Sequence, residues 1–275
     1  MSSGPDPDLT NLRWEALRGS PRRAVALGRA CDGDEATWLL GVSLGATGRY
    51  GEAYQALTSI ATVSPLRSLA DSTSASLLRQ VGRHADAQVR DFLALERAST
   101  PTDRFDALLG LSADAVGLGD HSLAAARWDE ASSELRNVSD PWRQTIRLGW
   151  VEAELALLDD RPVDAAVAAE RSVSLSVQAG AERHRAKSLL FEGVARAGCG
   201  DVPAAVLLLR RSMTLSERLG AWPLVWPAAM VAARHLGGAG ALALEQRSAV
   251  VVTAINARLT PEWRLPRALA RSTDF

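Results

Sequence analysis

Apolar residues return every three or four positions along nearly the whole chain, and almost nowhere every second position. That is the period of a helix buried on one face, not of a strand. Leu9, Leu12, Ala16 and Leu17 form one such stripe, and Ile146, Gly149, Trp150, Ala153, Leu157 and Leu158 form another. Breakers stand between the stripes at Gly48, Gly82, Gly119, Pro162, Gly200 and Gly238. The pattern predicts about fourteen helices, mostly of about 12 to 18 residues, joined by tight turns in an all-α fold.

The turns repeat. Gly48-Arg-Tyr-Gly-Glu-Ala53 has the same slots as Gly82-Arg-His-Ala-Asp-Ala87, Gly119-Asp-His-Ser-Leu-Ala124, Asp160-Arg-Pro-Val-Asp-Ala165 and Gly200-Asp-Val-Pro-Ala-Ala205. The closing alanines are spaced by 34, 37, 41 and 40 residues. Gly19 to Ala24 fits a shortened unit upstream, and Gly238 to Ala243 a weaker one downstream. Six or seven helix pairs follow. A glycine lets the first helix end left-handed. Glu52, Asp86 or Asp164 favours the start of the second helix. The small alanine lets the pair approach closely, and each pair is completed only by its neighbours.

These units resemble tetratricopeptide repeats. Asp34 to Val63 carries Leu40-Gly41, then Gly48, Tyr50, Glu52 and Ala53, followed by Pro65. The 34-residue step from Ala53 to Ala87 is the period of that family. Departures occur: Thr37 holds the early tryptophan slot beside Trp38, and later units show Leu111-Ser112, Glu152-Ala153 and Glu192-Gly193 in place of leucine-glycine. The longer units resemble the roughly forty-residue variants of bacterial regulators. The resemblance covers residues 9 to 258 and implies a right-handed α-solenoid that binds partners in its concave groove. Residues 1–8 read as a disordered start, and 259–275 as a capping helix or a tail.

Composition narrows the function. Of 275 residues, 47% are hydrophobic and 23% charged, an ordinary globular mix. Lys+Arg number 31 and Asp+Glu 32, a net charge of −1, which argues against direct nucleic-acid binding. The −1 is a cancellation: residues 101–179 carry 7 basic against 14 acidic side chains, and residues 180–275 carry 13 against 7. A charge-polarised solenoid can steer a charged partner or stack head to tail with a second copy, so homo-oligomers stay open. The acidic, proline-broken start lacks the features of a secretory signal. No long apolar run reads as a membrane span, and the protein reads as cytoplasmic. Lys187 is the only lysine, an arginine bias associated with GC-rich, actinobacterial genomes.

No catalytic, metal or cofactor motif appears, so the chain reads as a non-enzyme without cofactor. Cys31 and Cys199 read as small buried hydrophobes. His84 and His121 share the turn slot of Tyr50 and read as half-buried rings. Asp159-Asp160 reads as a helix end followed by a turn aspartate. Most of the eight tryptophans read as core.

One helical face stands apart. Arg143, Arg147, Trp150 and Glu154 share a stripe, and forty residues later the same slots hold Arg183, Lys187, Leu190 and Val194. The family resemblance makes these the groove-facing slots of two adjacent first helices. Four cations beside an aromatic suit a peptide or protein segment that is acidic or carboxylate-bearing. Trp150 in the core, under a solvated charged face, is the equal alternative. The family's lysine–asparagine carboxylate clamp is absent, since its places hold Trp38, Val42, Thr73, Asp106 and Gly110. Two functions fit: a non-catalytic scaffold that binds a peptide or protein segment, and a regulatory sensor of a small ligand or signalling peptide that acts through a partner protein.

Overall fold

The computed structural model describes residues 7–265. Fourteen α-helices make up the described residues: α1 (Pro7–Leu17), α2 (Pro21–Gly28), α3 (Asp34–Ala46), α4 (Tyr50–Ser59), α5 (Arg67–Gln80), α6 (His84–Glu96), α7 (Pro101–Leu118), α8 (His121–Glu134), α9 (Trp142–Leu158), α10 (Pro162–Gln178), α11 (Glu182–Gly198), α12 (Val202–Leu219), α13 (Val225–Arg234) and α14 (Gly238–Asn256). They form seven pairs in an all-α solenoid. Each helix packs on its neighbours in sequence, and α5, α7, α9 and α11 also touch in series.

The turn chemistry explains the repeat. Gly48, Gly82, Gly119 and Gly200 have φ of 84°, 77°, 74° and 78°, the left-handed region where glycine carries no Cβ penalty. Asp160 takes that slot in the fourth unit at φ 55°. The turn carboxylates do more than favour a helix start: Glu52, Asp86 and Asp164 each pair with the turn arginine three residues earlier, Arg49, Arg83 and Arg161. These pairs are exposed and contribute little each.

Close approach is what the small residues provide. The repeat alanines Ala24, Ala53, Ala87, Ala124, Ala165 and Ala205 are fully buried. The last unit slips by one: Ala243 is exposed and Leu244 fills the inward place. Buried serines accompany the alanines, with hydroxyls donating to carbonyls of the facing helix, as Ser112 to Ala124, Ser68 to Ala94 and Ser212 to Ala186, each at 2.7 Å. A buried hydroxyl left without such an acceptor would be costly.

The two ends of the solenoid meet. One apolar cluster joins Leu12, Trp38, Leu39 and Tyr50 of the first units to Val225, Trp226, Met230, Val251 and Ile255 of the last. Ile255 lies over the Gly48 turn, and the Trp263 ring lies 4.9 Å from that of Tyr54. At a second seam the Arg18 carbonyl accepts from the Glu182 amide at 3.0 Å. Arg18 also donates to the Ala179 carbonyl, and its guanidinium sits 4.2 Å from the Trp142 ring centre. The first and last units are thus in contact at two places, while Trp14, Leu242 and Val250 of the terminal helices stay exposed.

Several local expectations change. Helix α1 begins at Pro7, inside the segment read as disordered, and residues 1–6 lie outside the described residues. Leu259, Trp263 and Leu265 are buried against the first units, and Leu265 is hydrogen-bonded to Asn256 at 2.9 Å. Residues 266–275, the rest of the expected cap or tail, lie outside the described residues. Cys199 is exposed at the end of α11, and Cys31 is half-buried, so the buried-hydrophobe reading fails for Cys199. His121 is exposed beside Asp159 at 3.3 Å, while Tyr50, in the same slot, is fully buried. Trp14 is exposed, whereas Trp38, Trp150, Trp226 and Trp263 are buried.

A buried ion-pair network ties α5 to α6 within one unit. Asp71 is fully buried and pairs with Arg67, Arg97 and, at 3.6 Å, Arg90. Arg67 also donates to the Ile60 carbonyl at 2.8 Å, which fixes the entry into α5. Removing one partner of a buried pair leaves an uncompensated charge. Asp71→Ala is expected to cost about 3–5 kcal/mol in urea unfolding, against a near-neutral Asp86→Ala on the surface.

Candidate functional site

The concave side of the solenoid holds a central cavity of about 1160 Å³ that stays partly open to solvent. Its wall is made by the inner, odd-numbered helices: Trp38 and Val42 from α3, Thr73 and Arg79 from α5, Asp106 and Gly110 from α7, and the predicted stripe from α9 and α11. The slots that correspond to the family's clamp thus face inward here, but with other chemistry.

All six predicted residues, Arg143, Arg147, Trp150, Glu154, Arg183 and Lys187, line this cavity. They are not equivalent. Arg143 and Arg147 both pair with the buried carboxylate of Asp106. Burial alone would raise Asp106, yet the two facing guanidiniums outweigh it and hold its carboxyl below the usual range. Of the four cations expected on this face, these two are therefore engaged by Asp106.

Trp150 is buried, as its core reading expected, and also lines the cavity. It is only 7% exposed, and its indole N–H donates to Ser188 at 2.8 Å, as a buried indole requires. One side still reaches the cavity. The ring stacks on His184 at 5.5 Å and on Phe191 at 6.2 Å between centroids. Lys187 Nζ lies 4.5 Å from the Trp150 centroid, a cation–π contact in a sheltered site. Trp142 meets His184 edge-on at 5.3 Å, and Arg18 covers Trp142. An aromatic series thus runs from the Arg18 seam to the cation wall.

The electrostatics follow from shelter. Burial pushes the Lys187 ammonium down to about 8, with Glu154 pulling the other way and Arg147 and Arg183 adding to the depression. Burial raises the Glu154 carboxyl against the pull of Lys187. His184 is driven well below its ordinary value by burial and by Arg183, Arg143 and Arg147, so its ring is neutral at pH 7. Arg183 is lowered to about 10 by burial and by Arg143 and Arg147. Glu154, Arg183 and Lys187 are half-buried and His184 is buried.

A second charged cluster, which the sequence reading missed, lies on α5, α6 and α7. Arg79 pairs with Asp91 at 2.5 Å and Asp114 at 2.8 Å, both fully buried, and donates to the Gly110 carbonyl at 3.2 Å. Gly110 is required there, because a Cβ would fall 2.2 Å from Asp91. Burial pushes the Asp91 carboxyl up against the pull of Arg79. The only available signal was an aspartate interrupting an apolar helix stripe, as in Leu-Ser-Ala-Asp114-Ala.

No protein-family model matches the chain, and no curated protein matches it in sequence. Solved structures share its fold. The crystal structure of a Rap protein complexed with competence and sporulation factor aligns with a TM-score of 0.67 at 9% identity, over 94% of this chain and 82% of that one. Aspartyl phosphate phosphatase F from Bacillus subtilis aligns with a TM-score of 0.50 at 10% identity, over 94% and 76%. At these identities the likeness is one of fold.

Lys187 gives a pH signature. Its folded value of about 8 lies below its ordinary 10.5. Below about 8 both states are protonated and the cost of the buried cation is fully present. Between about 8 and 10.5 the unfolded chain binds more protons, so this group makes stability rise with pH. Thermal midpoints across pH 7.5 to 10 should therefore rise for the wild type relative to Lys187→Met. Parallel curves would assign Lys187 an ordinary titration.

Proposed function

We propose that the protein is a non-catalytic binding protein that takes a peptide or protein segment, acidic in character, into its central cavity. The observation that carries this reading is the convergence of the inner helices on one cavity with a cationic and aromatic wall. Arg183, Lys187 and Trp150 form the contact surface, and Arg143, Arg147 and Glu154 set its charge. A cavity of about 1160 Å³ lies just above the range of small-molecule pockets, ~300–1,000 Å³. A short peptide suits that size better than a folded partner.

Support also comes from fold. A protein of the same architecture was crystallised in complex with competence and sporulation factor. Another is named an aspartyl phosphate phosphatase. The units are those of a tetratricopeptide-like solenoid, and no helix among the described residues is long and apolar enough to cross a membrane.

A regulatory sensor acting through a partner protein is the second reading, and one observation favours it. The series Arg18, Trp142, His184 and Trp150 connects the cation wall to the seam where the solenoid closes. A ligand seated on that wall bears directly on the seam. A protein that shifts between two arrangements needs such a differential contact.

Ser76 lines the cavity from α5, and its hydroxyl bonds only within its own helix, to Thr73 at 2.7 Å. Ser76→Trp should obstruct part of the cavity wall, leave the helical circular dichroism spectrum intact and weaken capture from a synthetic pool of short acidic peptides. Capture equal to wild type would place binding outside the cavity.

A further inference from the structure

The repeat register shows what the cation wall lacks. Asp106, Arg147 and Lys187 each stand 18 residues before the closing alanine of their unit, Ala124, Ala165 and Ala205. They are the same slot on α7, α9 and α11. On α9, Arg143 and Arg147 reach back to that slot on α7 and find Asp106. On α11, Arg183 and Lys187 are the equivalent pair, and the slot they face on α9 holds Arg147. Where one unit supplies a carboxylate, the next supplies another cation.

The consequence is visible in the contacts. Lys187 feels Glu154, one turn-pair further along α9. Arg183 feels no carboxylate: the charges acting on it are Arg143 and Arg147. Its buried Nε has no hydrogen-bond partner, and it forms no ion pair with any described residue. On the far side, the cavity wall is Pro223, Trp226 and Pro227, and α13 contains no acidic residue. A sheltered guanidinium without a counter-charge is costly to the fold. Such a group is satisfied when a bound molecule supplies the anion.

We propose that the Arg183–Lys187 face of the cavity is an oxyanion subsite that takes a single carboxylate or phosphate group of the ligand, replacing the carboxylate that the repeat omits from the Arg147 slot. This rests on the reading of the cavity as the binding site and narrows it. Arg143 and Arg147, held by Asp106, position the site without bonding the anion. The apolar part of the ligand lies toward Trp150 and Phe191, or toward Pro223 and Trp226. The subsite recognises one negative group, not an extended acidic stretch.

The test is a thermal-shift titration of the full chain with inorganic phosphate and with acetate, each against sodium chloride at equal ionic strength. The wild type should be stabilised by phosphate, by acetate or by both, beyond chloride. The responding anion identifies the class of ligand group. Arg183→Met should lose that response, corresponding to a weakening of about tenfold to a hundredfold. Without added anion, Arg183→Met should melt at or above the wild-type temperature, because an uncompensated cation has been removed. No anion response in the wild type overturns the proposal, and that arm needs no variant to fold. An equal response in Arg183→Met, or a lower melting temperature without anion, also overturns it. The cavity reading is judged separately by Ser76→Trp. If capture of peptides is weakened there while the anion response is missing, only the oxyanion subsite fails.

Discussion

A stack of helix pairs has two apolar end faces, and something must cover each. Here each end covers the other. The packing of Leu12, Trp38 and Tyr50 against Trp226, Met230 and Ile255 turns an open solenoid into a ring. Everything else depends on that closure. It converts a concave groove into a cavity and shelters the charges that line it.

Shelter changes what charge means. On the outer turns, arginine and carboxylate alternate in exposed pairs such as Arg49–Glu52 and Arg161–Asp164, each of little energetic weight. Inside, the same residue types must be matched one against another. Asp71 gathers three arginines, Arg79 holds two aspartates, and Asp106 holds two arginines. The Asp71 network joins the two helices of one unit, while Arg79–Asp114 and Asp106 with its two arginines join successive units. Arg183 stands outside this matching. Arg185 also has an unpartnered buried Nε but pairs with Glu182, whereas Arg183 faces the cavity with no ion-pair partner among the described residues.

Much of this was legible in the chain. The helix period, the glycine turns and the repeat alanines gave the architecture, because each follows from local geometry that recurs at a fixed spacing. Slots 143, 147, 183 and 187 were identifiable as inward-facing for the same reason. Ring closure was not legible, since it depends on the summed twist of seven units and no single residue encodes it. Nor was the engagement of Arg143 and Arg147. Asp106 was visible, but its pairing needs the α7–α9 distance. The histidine slot misled because His121 and Tyr50 share a register without sharing a burial. Cys199 misled because a helix end that looks apolar in sequence opens to solvent at the turn.

The central claim is that one guanidinium of the cavity wall is uncompensated and awaits an anion. Arginine Nε–H resonances report that directly. In a nitrogen-15 spectrum assigned with Arg183 variants and titrated with phosphate or acetate, the account predicts a saturable shift of the Arg183 Nε–H resonance. Those of Arg79, Arg143 and Arg147, already bound to aspartates, should hold still. A static Arg183 signal, or a uniform drift of all four, would contradict it.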